Sequence, residues 1–347
     1  YRKGLTPINI TVDDKGKQSQ ALVFPWAIAT YDNKEVSIPL LKNQMGASTT
    51  QKVIGSVQHL EYSFSDAFNK ITKAKQKKVA IIKGNGELKE AFIAKFLLQV
   101  RDSYFIAPFT LDSVAKNPEG SLQALKEYDL AVIAKPSEAF SESEKQVLDQ
   151  YLMNGGKTIW LVDQVVAEID SLYNPSGASL AYPRDLNIND LFFKYGIRIN
   201  PDIVKDEQGS PIQLASGEPG SATRFQQFNW KYAPLVTPIS THPIVKNLGG
   251  IKFDFANSID TLKNSIKKTV LLQSSPYSKR VGTPTAINLS MVSETTSPAD
   301  YPNTGGIPLA VLLEGSFHSA FENRIKAFEQ TNFQSTSKPT KMIVISD

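Results

Sequence analysis

Tyr128 to Asp163 reads YDLAVIAKPSEAFSESEKQVLDQYLMNGGKTIWLVD. Asp129-Leu-Ala-Val-Ile-Ala134 contains a short continuous apolar run, the pattern of a strand buried on both faces. Lys135-Pro136 ends that run. Ser141 opens a helix, and Glu144 three residues on completes a capping box in which each side chain satisfies a backbone donor at the helix start. Val147, Leu148, Tyr151 and Leu152 fall on one helical face. Gly155-Gly156 closes the helix, since glycine takes the left-handed cap without a Cβ penalty. Thr158-Ile-Trp-Leu-Val162 is a second buried strand. Strand, helix and strand with short joins predict a right-handed parallel βαβ unit.

Working outward, Val79-Ala-Ile-Ile82 reads as the first buried strand of the same sheet. Gly84-Asn-Gly-Glu87 follows, then a helix with Leu88, Phe92, Ile93, Phe96, Leu97 and Val100 on one side. Tyr104 to Phe109 is the next strand, and Asn117-Pro118 opens a loop and short helix leading to Tyr128. Four strands alternating with helices predict an α/β, doubly wound parallel sheet with helices on both faces from Lys77 to Asp163. Residues 76–347 form the Rossmann-like core domain with loop insertions. Residues 1–75 form a smaller N-terminal α/β lobe. There Ile8–Val12 and Ala21–Phe24 flank the hairpin signal Asp13-Asp-Lys-Gly16, and Trp26–Tyr31 and Val36–Leu41 flank Asp32-Asn-Lys34. From Thr50 to about Lys75, Val53, Val57, Leu60, Phe64, Ala67 and Ile71 form the apolar stripe of a long helix.

Beyond Asp163 the order weakens. Asn189 caps a short helix ending at Gly196, and Ile197–Ile199 is a short strand. Lys205 to Arg224 is rich in Gly, Pro and Ser and reads as a mobile surface loop. Ser293 to Gly306 reads as another loop. Apolar runs at Thr269–Leu272, Ala286–Leu289, Leu309–Leu313 and Met342–Ile345 predict further strands.

Composition excludes more than it assigns. At 347 residues, 41% hydrophobic and 21% charged, the chain is an ordinary globular protein of up to two domains. The +4 net charge does not support nucleic-acid binding, and of six lysines clustered from Lys70 to Lys83 several sit where a helix ends, which suits its dipole. With no cysteine, disulfides, thiolate catalysis and cysteine metal sites are excluded. No apolar run approaches the roughly 18–20 residues that span a bilayer. With no initiator methionine and no signal-like start, the chain reads as a piece of a longer protein.

None of the usual chemical motifs is complete in this sequence. Gly84-Asn-Gly86 sits where a dinucleotide fingerprint would begin, but position 89 is lysine and the third glycine is missing. Gly156-Lys-Thr158 resembles the end of a phosphate loop yet joins helix to strand, the reverse of the required order. There is no G-x-S-x-G elbow and no H-E-x-x-H. His59, His242 and His318 are scattered. The paired acids Asp13-Asp14 and Glu142/Glu144 lie in a turn and a cap, where acids stabilise local structure. No catalytic residue, metal ligand or cofactor is assigned.

A resemblance carries the function further. Gly4-Leu-Thr-Pro7, Phe24-Pro-Trp-Ala27, Leu60-Glu-Tyr62, Lys83-Gly-Asn-Gly-Glu87, Leu148–Gly156, Phe193–Asn200, His242–Asn247, Lys268–Ser275 and Leu312-Leu-Glu-Gly315 together resemble the soluble region of the GldG family, auxiliary components of the gliding-motility ABC transporter of Bacteroidetes. The resemblance implies a periplasmic region held at the inner membrane by helices absent from this chain, with an ABC permease and an ATPase as partners. It also implies a core like that of class I glutamine amidotransferases, a flavodoxin-like arrangement. Amidotransferases of that fold need a cysteine nucleophile, so their activity does not transfer. Position 85, often histidine in relatives, is asparagine here.

Three readings compete: a non-enzymatic transporter subunit, a small-molecule or glycan-binding domain independent of a motility transporter, and a carboxylate hydrolase. The resemblance favours the first. Ligands of open α/β sheets bind beyond the carboxyl ends of the strands, where strand order reverses. Gly84, Asn85, Gly86 and Glu87 are therefore the candidate ligand- or partner-binding residues. The following helix is expected to aim free backbone donors into the crevice, with Glu87 in its first turn.

Overall fold

The computed structural model describes residues 5–14, 17–42, 48–216, 224–246, 248–301 and 305–347. It divides into two compact units, 1–76 and 77–347. In the first, strands β1 (Ile8–Asp14) and β2 (Lys17–Val23) form an antiparallel hairpin, whose turn residues 15 and 16 lie outside the described ones. Strands β3 (Trp26–Tyr31) and β4 (Lys34–Pro39) form a second. Asp32 and Asn33 both hold positive φ, 44° and 60°, the two-residue turn that matches strand twist. So short a turn pairs Lys34 with Tyr31, which starts and ends β4 two residues earlier than the sequence suggests.

Helix α1 (Thr49–Thr72) begins at Ser48, whose capping box with Gln51 the sequence analysis missed. Its apolar stripe is only half used. Ala67 and Ile71 are buried, but Val53 and Val57 are exposed and Ser56 and Ser63 take the buried positions. Both serines are small enough for close approach, and Ser56 Oγ also accepts the Lys42 N–H at 2.8 Å.

The second unit is built on a seven-stranded sheet. Strand β5 (Lys78–Lys83), helix α2 (Glu90–Ser103), β6 (Phe105–Thr110), α3 (Pro118–Leu125), β7 (Leu130–Ala134), α4 (Glu142–Met153) and β8 (Lys157–Leu161) follow one another, and the four strands pair in parallel in the order β6-β5-β7-β8. Val79, Ile81 and Val132 face α2. Ala80, Ile82, Ala131, Ile133 and Trp160 face α3 and α4 in the main core, so helices cover both faces. The expectation of a wholly parallel sheet needs correction beyond β8: β21 (Thr340–Ile345) joins in parallel, but β20 (Pro308–Gly315) and β17 (Lys267–Gln273) extend the sheet antiparallel. The sheet is therefore mixed.

The α4 cap is as the sequence spacing requires: Ser141 Oγ accepts the Glu144 N–H at 3.3 Å and Glu144 Oε2 accepts the Ser141 N–H at 2.7 Å. Ser141→Ala is expected to cost about 1 kcal/mol, read as a shift of the urea midpoint at unchanged slope; no shift would mean the cap is idle.

Between β8 and β21 the chain builds a lobe of small antiparallel sheets from β9 (Val165–Val166), β10 (Ala178–Pro183), helix α5 (Asn189–Tyr195), β11 (Ile197–Ile199), β12 (Asp202–Asp206), β13 (Gly209–Ser216), β14 (Arg224–Val236), β15 (Ile251–Lys252), β16 (Ile259–Thr261), β18 (Ser278–Gly282) and β19 (Thr285–Asn288). Here the reading of Lys205 to Arg224 as a mobile loop is overturned. Lys205 ends in buried β12, and β13 pairs with β14 from Ser210↔Trp230 to Ser216↔Arg224. Ser, Pro and Gln disguise the strand, but its pairing with aromatic-rich β14 supplies the apolar contact, as at Ile212↔Phe228. Residues 217–223 lie outside the described ones. In 293–306, short 3-10 turns cover Leu289–Ser293 and Pro298–Asp300.

Asp260 on β16 ties this lobe together, accepting from Arg198 and Arg280 at 2.8 Å each and from Asn200 at 2.9 Å. Burial works against its charge, but Arg280, Asn200 and Arg198 win and bring the carboxyl down to about 2. Its folded pKa lies below the ordinary 3.8, so its contribution is full above 3.8 and is lost as pH falls towards 2. The cluster is largely solvent-screened, which limits the loss to the order of 1 kcal/mol. Asp260→Asn is expected to flatten the stability profile between those two pH values; an unchanged acid limb would refute the assignment.

Candidate functional site

Strand order turns at β5, which pairs with β6 on one side and β7 on the other. The Gly84–Glu87 loop leaves β5 at its carboxyl end, at this switch point. Gly84 and Gly86 hold φ of +124° and +69°, conformations that favour glycine. The crevice that an open sheet would leave here is filled by the chain itself. Ser137 and Glu138, just beyond β7, donate their N–H groups to the Asn85 carbonyl at 2.9 and 3.0 Å, and Ser137 Oγ donates to the Gly86 carbonyl at 2.9 Å. Leu88 N–H reaches the Ala134 carbonyl at 3.0 Å, and Lys83 Nζ donates to the Leu88 carbonyl at 2.6 Å.

Within the loop, Asn85 N–H donates to Glu87 Oε2 at 3.0 Å, and Asn85 Nδ2 donates to Glu144 Oε2 at 3.2 Å. Glu144 therefore caps α4 and steadies the loop at once. Asn85 is only 3% exposed. Its Oδ1, and Oε1 of Glu87, are buried without a hydrogen-bond partner. Burial pushes the Glu87 carboxyl above its ordinary value against the hydrogen bonds it accepts.

One expectation is corrected. Helix α2 starts at Glu90 with Lys89 as its cap residue, so Glu87 precedes the helix and is not in its first turn. The unpaired side-chain atoms of the loop, an Asn85 amide oxygen and a Glu87 carboxylate oxygen, are acceptors, which suit a donor such as a hydroxyl, an ammonium or water.

A second charged cluster escaped the sequence analysis. Lys135 follows β7 directly, in a left-handed conformation with φ of 53°, and Asp163 follows β8. Lys135 Nζ lies 2.8 Å from Asp163 and 3.2 Å from Glu168. Burial alone would lower the Lys135 pKa, but Asp163 and Glu168 override it and raise it, so the amine stays protonated and is no nucleophile. Burial raises Asp163, and burial with the Asp163 charge lifts Asp347 to about 7. The signal that could have found this pair was positional: each residue stands at the carboxyl end of a buried parallel strand. Among the described residues no group of three or more His, Asp or Glu is placed to hold a metal ion. The histidines have local roles: His59 packs on Tyr62, His242 Nδ1 accepts the Ile244 N–H, and His318 faces Thr336. No helix of the described residues is long and apolar enough to cross a membrane.

Comparison with known proteins shows what the chain is similar to. The family described as an ABC-type uncharacterized transport system, an auxiliary family, matches residues 76–347. An uncharacterized protein of Borreliella burgdorferi is 23% identical over 277 residues, covering 78% of this chain and 51% of that protein. The chain thus spans about half the length of the curated relative it matches. The solved structure titled "mmIFT52 N-terminal domain" aligns with a TM-score of 0.44 at 14% identity, over 78% of this chain and 86% of that one.

Proposed function

This chain belongs to the auxiliary family of ABC-type uncharacterized transport systems, and from that premise we propose that it is a non-catalytic component of such a transporter. The family match over 76–347 is the observation that carries the reading. In finer form, it is the extracytoplasmic region of a GldG-like protein of Bacteroidetes linked to gliding motility. It faces the periplasm, is held at the inner membrane by helices outside this chain, and works with a permease and an ATPase. The 1–75 lobe and the 76–347 core act as scaffold for those partners. Two features of the site support a structural rather than a turnover role: Lys135 is paired with Asp163 and Glu168, and Ser137 is hydrogen-bonded across the Gly84–Glu87 loop.

The test is affinity purification of the tagged full-length protein from native membranes. A permease and an ATPase are expected in stoichiometric amounts; a preparation lacking both would remove the reading's basis. The unpaired Asn85 Oδ1 and Glu87 Oε1 favour, as a second reading, a small-molecule or glycan-binding domain whose ligand donates to them. Asn85→Ala that folds normally and loses binding in a glycan array would support it, and an array with no hits would end it.

A further inference from the structure

Helix α5 buries Leu191, Phe192 and Tyr195 and leaves Asn189, Phe193 and Lys194 exposed. Gly196, at φ of 96°, ends the helix and leads directly into β11, where Arg198 points outward between buried Ile197 and Ile199. The chain at 320–324 runs beside this helix. Asp149 fixes it by accepting the Ala320 N–H at 2.9 Å, and Arg324 Nη1 donates to Asp190 of α5. Between the two segments lies an open groove of about 540 Å³, a size suited to a small ligand. Buried Ile199 and Ala320 line it together with Pro201 and Phe193, and Phe193 is 63% exposed.

The polar lining is one-sided in charge. Lys194, Arg198 and Arg324 are cations, and Asp190 is the only carboxylate among the described residues that line the groove. Asp190 is already occupied, since buried Lys145 donates to it at 2.9 Å alongside Arg324. Other acids stand near the groove without lining it. Asp260 accepts from Arg198 at 2.8 Å but is shared with Arg280, Glu142 pairs with Lys145, and Asp202 is turned inward onto Ser258. Glu322 lies 3.6 Å from Lys194, beyond hydrogen-bond reach.

The hydrogen-bonding capacity left over therefore belongs to donors. Arg198 and Arg324 each commit one Nη to a carboxylate and keep the rest of a five-donor fork. Asn189 Oδ1 accepts from Gln164 Nε2 at 3.0 Å, which leaves its NH2 group. A cationic ligand would meet no free carboxylate here, and a wholly apolar one would cover charged donors without pairing them.

We propose that this groove binds a small organic anion with an apolar body, the body lying on Phe193, Ile199 and Pro201 and the acidic head taking the guanidinium donors of Arg198 and Arg324. Charge-assisted bonds to those donors supply the selectivity, and the apolar lining supplies the contact area. The groove shares no residue with the Gly84–Glu87 loop, and the inference depends neither on that loop nor on a transporter partner.

The experiment titrates the intact chain with the fluorescent anion anilinonaphthalene sulfonate, then competes it with octanoate, octanol or octyltrimethylammonium. Saturable binding is expected, with octanoate displacing the dye at least about tenfold more effectively than either analogue of the same chain length. The Arg198→Gln/Arg324→Gln double variant is expected to weaken dye and octanoate about tenfold, and Phe193→Ser about fivefold. Asn323→Glu, a change at an exposed residue of the lining, sets a carboxylate there and is expected to weaken both about tenfold. It serves should the double variant misfold by circular dichroism. Arg101→Gln on α2, outside the groove, is expected to change neither affinity. No saturable binding, equal displacement by the three octyl compounds, or normal affinity in the folded arginine and Asn323 variants would overturn the proposal. So would an equal loss in Arg101→Gln, since the effect would then be one of net charge alone.

Discussion

Asp149→Ala is expected to lower the unfolding free energy by about 3–5 kcal/mol. Asp149 lies in the interior of α4 and is fully buried. Its carboxylate accepts from Ser319 Oγ at 2.7 Å, the Ala320 N–H at 2.9 Å, Tyr195 Oη at 2.8 Å and Gln150 Nε2 at 3.0 Å. It therefore fastens both α5 and the chain around Ser319 to the helix that the sheet is packed against. Truncation would strand these donors in a core where Tyr195 and Phe317 pack edge to face, 5.4 Å between ring centres. The hydroxyls can turn elsewhere, but the Ala320 N–H is held by the backbone and cannot. Asp149→Asn keeps one carbonyl oxygen and is expected to lose less, about 1–3 kcal/mol. Urea denaturation followed by tryptophan fluorescence reads both, and a loss below about 1 kcal/mol for alanine would mean that water replaces the carboxylate.

Gly86→Val is expected to cost about 3 kcal/mol from two separable causes. At φ of +69° a side chain strains the backbone, and a Cβ there would overlap the Ser137 hydroxyl. Ser137→Gly removes the second cause and leaves the first. The double variant is therefore expected to recover about 1 kcal/mol or more over the sum of the single changes. Strict additivity would show that the 135–139 loop simply moves aside and that the crevice at the switch point opens at little cost. The two outcomes separate a closed turn from a loop able to admit a ligand.

The features legible in the sequence share a physical character. The run from Asp129 to Asp163, the Ser141–Glu144 cap, the αL glycine ending α5 at Gly196 and buried β5 all depend on residues a few positions apart, and their spacing shows in the chain itself. The location of the Gly84–Glu87 loop beyond β5 was legible for the same reason. What fills that loop was not, because Ser137 reaches Gly86 from 51 residues away. The pairing of Lys135 with Asp163 likewise needs β7 and β8 side by side.

Tertiary structure also decided between segments that look alike in sequence. Lys205–Ser216 has a loop's composition and becomes strand because β14 offers it a partner. Phe92, Phe96, Val53 and Val57 have a core's composition and remain exposed, because a helix's apolar stripe records what it can bury, and only its neighbours determine what it does bury. The antiparallel β20 and β17 complete the sheet for a related reason: local pattern identifies a strand, but its direction and neighbours are settled by long-range pairing.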